Sequence, residues 1–273
     1  MKSENFIVLI FIVQELKPNG RKISGYVVPN NLTLYGIHEN RRLPENMMDV
    51  DNHGTYVAQV AGGVNYGVAS KADLHFVKWK NAYSAVPLDE ARWPEDIRHP
   101  IPSFASIVDF CSHILDHIQS NKKQGKAVVS ISFGNTLFNS HTSTYMLIFD
   151  LVFPNKEAFM RDSWMQFIQQ LETYDAVLVV AAGNWGREHT QDLNLPHVLG
   201  RDDNMIITVG GVKADGSFHD ITTLPKNDRS GTITVYAQSL SVPVLKYGPE
   251  TPPEGEKDLM KGTSLAAPAV VSS

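Results

Sequence analysis

Four short blocks of this chain carry residue types that could do chemistry together. Asp51-Asn52-His53-Gly54-Thr55-Tyr56-Val57-Ala58 holds an imidazole. Ser132-Phe133-Gly134-Asn135 and Ala181-Ala182-Gly183-Asn184 each end in a carboxamide. Gly262-Thr263-Ser264-Leu265-Ala266-Ala267-Pro268 holds a hydroxyl. A hydroxyl nucleophile needs a base to take its proton and a donor to hold the oxyanion that forms. Ser264, His53 and Asn184 supply those three chemistries. Taken singly, each block has an ordinary reading. Gly-Asn after an apolar run is a turn. Gly-Thr-Ser before an Ala-rich stretch is a helix cap. His before Gly-Thr is a surface or cap residue.

The elements that must position these residues can be read from periodicity. Short β-branched runs span Phe6–Val13, Leu74–Trp79, Ala127–Ser132, Ala176–Ala181, Met205–Val212 and Thr232–Ala237. Between them, Ala105–Ser120 repeats apolar residues at three and four through Ile107, Val108, Cys111, Ile114, Leu115 and Ile118. Ala158–Tyr174 does the same through Phe159, Met160, Trp164, Phe167, Ile168 and Leu171. Strands alternating with amphipathic helices predict an α/β fold of three layers, a mostly parallel sheet between helices. Such sheets place their sites at the carboxyl ends of the strands. Asn184 and the Ser132-Phe133-Gly134 segment each follow an apolar run. No internal repeat or Gly/Ser linker divides residues 1–273, so one domain is expected. Val86–Pro102 and Pro243–Glu256 read as surface loops.

Composition narrows the function classes. Apolar residues make up 42% and charged residues 19% of the 273, a globular composition that excludes a disordered chain, a coiled coil or a collagen repeat. The net charge is −5, against the basic balance of a nucleic-acid binder. A single cysteine, Cys111, excludes a disulfide framework. The longest apolar run, Phe6–Val13, is too short to span a bilayer, and no small-x-small cleavage site follows it. It reads as a strand buried on both faces, and a soluble protein with no membrane partner is expected.

Together the blocks resemble those of the subtilisin-like serine proteases, the subtilases. The resemblance rests on His53-Gly-Thr-Tyr-Val-Ala, Val129-Ser-Ile-Ser-Phe-Gly134, Val179-Val-Ala-Ala-Gly-Asn184 and Gly262-Thr-Ser-Leu-Ala-Ala-Pro268. Tyr66-Gly-Val-Ala-Ser-Lys-Ala-Asp-Leu74 and Ile206-Ile-Thr-Val-Gly210 add weaker support. It runs in register from about Phe6 to the last residue. It implies a seven-stranded sheet and a serine endopeptidase acting on extended polypeptide. Ser264 would be the nucleophile at a helix N-terminus, and His53 the general base. Asn184 would donate to the oxyanion together with the Ser264 backbone N–H. Ser132, Phe133 and Gly134 would form an edge for substrate. Ala181, Ala182 and Gly183 would line the first specificity pocket. Many subtilases hold calcium, but no acidic cluster here can be assigned as a calcium site, and no cofactor is expected.

One member of the triad is missing from this pattern. The family places an Asp at the end of the first strand, where it accepts from the His ring and stabilises the imidazolium. No Asp precedes Asp49. The corresponding position falls near Gln14, with Glu15 pointing to the opposite face. An alternative first strand, Ile23–Val28, also lacks an acid. Asp49 and Asp51 are too near His53 in sequence to serve. In a subtilisin, loss of that Asp alone costs roughly 3 × 10⁴ in rate and leaves residual catalysis. A non-catalytic, peptide-binding domain is therefore the alternative to a protease. The family usually has His and Gly where this chain has Tyr56 and Gln59, and His where it has Ala269; packing should feel these changes more than chemistry. A pro-segment usually precedes a subtilase and none precedes Phe6. Nine residues follow Ser264, fewer than the family's C-terminal helices need, so marginal stability is expected.

Two other signals remain. His113 and His117 share one face of a helix at i, i+4. With Ile114 in place of a zincin Glu and no third ligand evident, they read as a polar helix face. Asn31-Leu32-Thr33 is a glycosylation sequon.

Overall fold

The computed structural model describes residues 5–12, 23–27, 53–63, 67–69, 72–80, 104–136, 155–186, 194–201, 204–224, 232–245 and 257–271. Eleven strands lie among them: β1 (Asn5–Ile12), β2 (Ile23–Val27), β3 (Asp73–Lys80), β4 (Ala127–Ile131), β5 (Asn135–Thr136), β6 (Val177–Ala181), β7 (Asn194–Leu195), β8 (Ile206–Val212), β9 (Val235–Gln238), β10 (Val242–Leu245) and β11 (Lys257–Met260). The helices are α1 (His53–Gly62), α2 (Phe104–Ser120), α3 (Lys156–Thr173) and α4 (Thr263–Ala269), with a 3-10 turn at His197–Leu199.

Seven strands form one sheet in the order β2-β3-β1-β4-β6-β8-β9. β2 pairs parallel with β3, β4 with β6, β6 with β8, and β8 with β9. Only β1 runs against its neighbours, antiparallel to both β3 and β4. The small sheets β10–β11 and β5–β7 are antiparallel pairs.

The period-2 alternation of strand side chains sorts the core onto two faces. On one face Val129 and Ile131 of β4, Leu178 and Val180 of β6, and Val77 of β3 pack with α2 and α3 through Phe110, Ile114, Trp164 and Phe167. Trp164 meets Phe110 and Phe167 edge-on, with ring centroids 6.3 and 5.8 Å apart. On the other face Val179, Ala181 and Val209 pack against Ala266 and Ala267 of α4. α1 joins α4 there through a cluster that includes Val57, Val60, Ala61, Leu265 and Val271. Helices therefore cover both faces of a mostly parallel sheet, the three-layer arrangement the periodicity implies.

Most element bounds agree with the sequence within a residue or two. Differences arise where local pattern was outvoted. Thr232–Ala237 shrinks to β9 at Val235–Gln238. Pro243–Leu245 is not loop but part of β10, paired with β11. Val108 and Phe159 fit the helical periodicity yet stay exposed. The largest difference is the direction of β1. In register, Ile12 stands opposite Asp73 and Ala127, at the amino ends of β3 and β4, while Asn5 stands opposite Lys80. The run Asn-Phe-Ile-Val-Leu-Ile-Phe-Ile is nearly uniform in polarity, so nothing in its pattern specifies direction or register. The expectation that this strand closes at the carboxyl edge of the sheet is thereby corrected. Gln14 and Glu15 lie outside the described residues, as do Asp49, Asp51, Asn31 and Val86–Pro102.

Candidate active site

Three chain segments converge at the carboxyl edge of the sheet. β4 leads into Ser132, β6 leads into Ala182-Gly183-Asn184, and α4 begins at Thr263 with Ser264 in its first turn. They are joined by hydrogen bonds between backbone and side chains. The Ser264 hydroxyl donates to the Ser132 carbonyl at 3.1 Å, and the Ser132 hydroxyl donates to the Ser264 carbonyl at 2.8 Å. This reciprocal pair locks the start of α4 onto the end of β4.

Asn184 is oriented by Thr263. The Thr263 N–H and its hydroxyl both donate to Asn184 Oδ1, at 2.8 and 2.9 Å. A backbone N–H can only donate, so the atom facing it must be the amide oxygen. The amide nitrogen is thereby turned the other way, toward Gly262: a Cβ built on Gly262 would lie 3.3 Å from Asn184 Nδ2. Gly262 has φ +142°, which favours glycine. Thr263 Oγ1 also accepts from the Gly183 N–H at 3.1 Å. One buried threonine thus fixes both the turn after β6 and its carboxamide.

Gly183 is needed for its own reasons. Its φ is +97°, and a Cβ there would sit 2.8 Å from the Trp185 ring and 3.0 Å from Thr223 Oγ1. Thr223 closes the turn, accepting from the Trp185 N–H at 2.9 Å while its own N–H donates to the Gly183 carbonyl at 3.1 Å. Ala181 and Ala182 are buried, and Ala181 packs with Ala266 and Ala267 of α4. Phe133 is buried edge-on against Phe110, centroids 5.9 Å apart. Gly134 lies against the His197 ring. The next residues, Asn135–Thr136, pair with Asn194–Leu195.

His53 opens α1, partly exposed, with its Nδ1 buried. The helix it opens shares an apolar cluster with the helix that carries Ser264, and this brings imidazole and hydroxyl elements onto the same face of the sheet. Tyr56 is buried in that cluster. Gln59 holds α1 to β10 by two bonds to Leu245: its Nε2 donates to the carbonyl at 2.9 Å and its Oε1 accepts from the N–H at 2.6 Å. Both departures from the family's His block are thus taken up in packing.

A model of the Subtilase family, peptidase S8, matches residues 34–273. The chain belongs to the subtilase family. The match leaves out β1 and β2, so the resemblance traced from Phe6 is not covered before residue 34. Family membership supports a protease function. Among solved structures, the S41 psychrophilic protease is similar at 17% identity and TM-score 0.53, over 93% of this chain and 75% of that one. A cold-adapted subtilisin-like serine proteinase is similar at 18% identity and TM-score 0.52, over 93% and 74%. The epidermin leader peptide processing serine protease of Staphylococcus aureus is similar at 16% identity and TM-score 0.51, over 82% and 52%. At these identities the likeness is one of fold. A search of curated proteins finds no match. No helix among the described residues is long and apolar enough to cross a membrane.

Sequence reasoning missed two things. Thr263 was read only as part of a motif, although its hydroxyl and N–H orient Asn184. The signal was there: a threonine directly before Ser264 can reach both neighbouring turns. His75 was not singled out at all, yet it meets His113 and His117 on the other face of the sheet. Cys111 is buried and unbonded to another cysteine, and burial pushes its thiol pKa up, so it is a packing residue.

Proposed function

We propose that this chain is a serine endopeptidase of the subtilase type, acting on extended polypeptide through Ser264. The Ser264 oxygen attacks the scissile carbonyl as His53 takes its proton. The carbonyl oxygen becomes the oxyanion, held by Asn184 Nδ2 and the Ser264 N–H. His53 then returns the proton to the leaving amine, and the acyl group stays on Ser264 until water, deprotonated by His53, releases it. The observation that carries this reading is the orientation of Asn184. Its oxygen is engaged by Thr263, so its amide donor is preset toward the backbone just before Ser264. A preset donor stabilises developing charge without reorganisation.

The alternative, a peptide-binding domain without catalysis, draws on β1. That strand ends at the amino edge of the sheet, away from the edge where Ser264 and Asn184 sit. It delivers no carboxylate there at its C-terminal end. A fluorophosphonate probe separates the two readings. Covalent labelling of the folded chain, abolished in Ser264→Ala, is expected. No labelling of a sample shown to be folded by circular dichroism would leave the binding reading.

A further inference from the structure

On the face of the sheet away from Ser264, three imidazoles converge. His75 lies on β3, whose next inward residue is Val77 in the α2–α3 core. His113 and His117 lie one turn apart on α2. Each offers a ring nitrogen, and the three nitrogens lie within 4.8 Å of one another. His75 Nε2 and His113 Nε2 are 2.8 Å apart. The His75 and His117 rings stack with centroids 3.6 Å apart. Tyr26 of β2 stacks on the far face of the cluster, 3.6 Å from the His113 ring centroid. The Nδ1 of His75 is hydrogen-bonded to the Ser24 hydroxyl at 2.7 Å.

We propose that His75, His113 and His117 form a binding site for one divalent d-block cation of the zinc class. Three features argue for it. First, the donor set is all imidazole, which suits zinc, copper, nickel or cobalt and not calcium, a cation that takes oxygen ligands. Second, the ligands come as a helical i, i+4 pair plus a third from a strand, and His75 already has an outer partner. With its Nε2 on a metal, its Nδ1–H would donate to Ser24 Oγ, the arrangement that fixes tautomer and ring orientation in metal sites. Third, the ring nitrogens already lie within 4.8 Å of one another. Two nitrogens on a tetrahedral zinc at about 2.0–2.1 Å stand about 3.3 Å apart, so the His75–His113 pair must open by roughly half an ångström, and the stacked His75 and His117 rings must turn so that both aim at one ion.

The electrostatics agree. Burial, then the neighbouring His117 and His113, push the His75 pKa down to about 3. Burial and His117 lower that of His113, against the pull of Asp116, and burial with Lys123 lowers that of His117. The site would tie α2 to β3 near the β2 edge of the sheet, leaving a fourth position for water. It is separate from the Ser264 corner and does not rest on the protease reading.

The test is zinc binding by the full chain without a polyhistidine tag, after dialysis against chelator. Titration calorimetry with Zn²⁺ alone should give one ion per chain. His113→Gln and His117→Gln, both on partly exposed helix positions, should each lower the affinity at least tenfold. Ser24→Ala should lower it by about 10–100-fold, the usual cost of an outer-shell partner. Co²⁺ substitution should give the visible absorption of a tetrahedral site. Binding unchanged in both helix variants would overturn the proposal, as would a folded chain that takes up no zinc. If His75→Gln fails to fold, the two helix variants still decide the matter.

Discussion

The Ser264 corner and the histidine cluster both gather polar side chains against the sheet, but they are held in different ways. In the corner, nearly every polar group bonds to backbone: Ser264 to the Ser132 carbonyl, Asn184 to the Thr263 N–H, and Trp185 N–H to Thr223. In the cluster, the rings bond and stack mainly with one another. A corner held by backbone is rigid before any ligand arrives. A cluster of ring nitrogens that meet mainly one another offers its donors to a cation. The first arrangement suits chemistry that needs a preset donor, and the second suits capture of a cation.

The largest expected effect is on the corner. Asn184→Ala should lower kcat by about 10²–10³, the cost measured for removing one oxyanion donor from a subtilisin, with little change in KM. A loss of less than threefold in steady-state peptide hydrolysis would mean that the amide does not face the reacting carbonyl. Next comes Thr263→Val, which keeps the shape but removes the hydroxyl that bonds both Asn184 and Gly183. About 1–3 kcal/mol of stability or transition-state binding is at stake when a buried polar contact is left unmade. If the corner is preset as described, kcat should fall while the cluster's zinc stoichiometry stays the same. A variant that merely melts lower, with kcat intact at 15 °C, would reassign Thr263 to stability alone.

A fifth imidazole sharpens the contrast. His197 is buried, its ring nitrogens find no hydrogen-bond partner among the described residues, and burial lowers its pKa to about 3. Its ordinary value is near 6.5, so between pH 6.5 and 3 the unfolded chain binds the extra proton. Stability is then complete above about pH 6.5 and falls as pH drops through that window, by at most about 1.4 kcal/mol per unit. His197→Leu should show a smaller fall in melting temperature between pH 7 and pH 5 than the parent chain. Equal falls in the two proteins would shift the acid sensitivity to other groups.

The sequence by itself determined the strand and helix runs, the two-faced core and the four chemical blocks. Short-range pattern is enough for these. Alternation sorts Val129 from Val128, and residue identity alone marks the Gly262-Thr263-Ser264 block, although its hydroxyls find their partners at Asn184 and Ser132, far off in sequence. Asn184 could be named from sequence because it closes the short Ala182-Gly183-Asn184 turn after the strand that leads to it. Tertiary structure alone decided three things. The direction of β1 is one, because a uniformly apolar strand pairs equally well either way. The third histidine is another, because His75 and His113 are 38 residues apart and meet only when α2 packs on β3. The last is the orientation of Asn184, since a carboxamide has two similar ends, and only the Thr263 N–H arriving from 79 residues away decides which one faces the site.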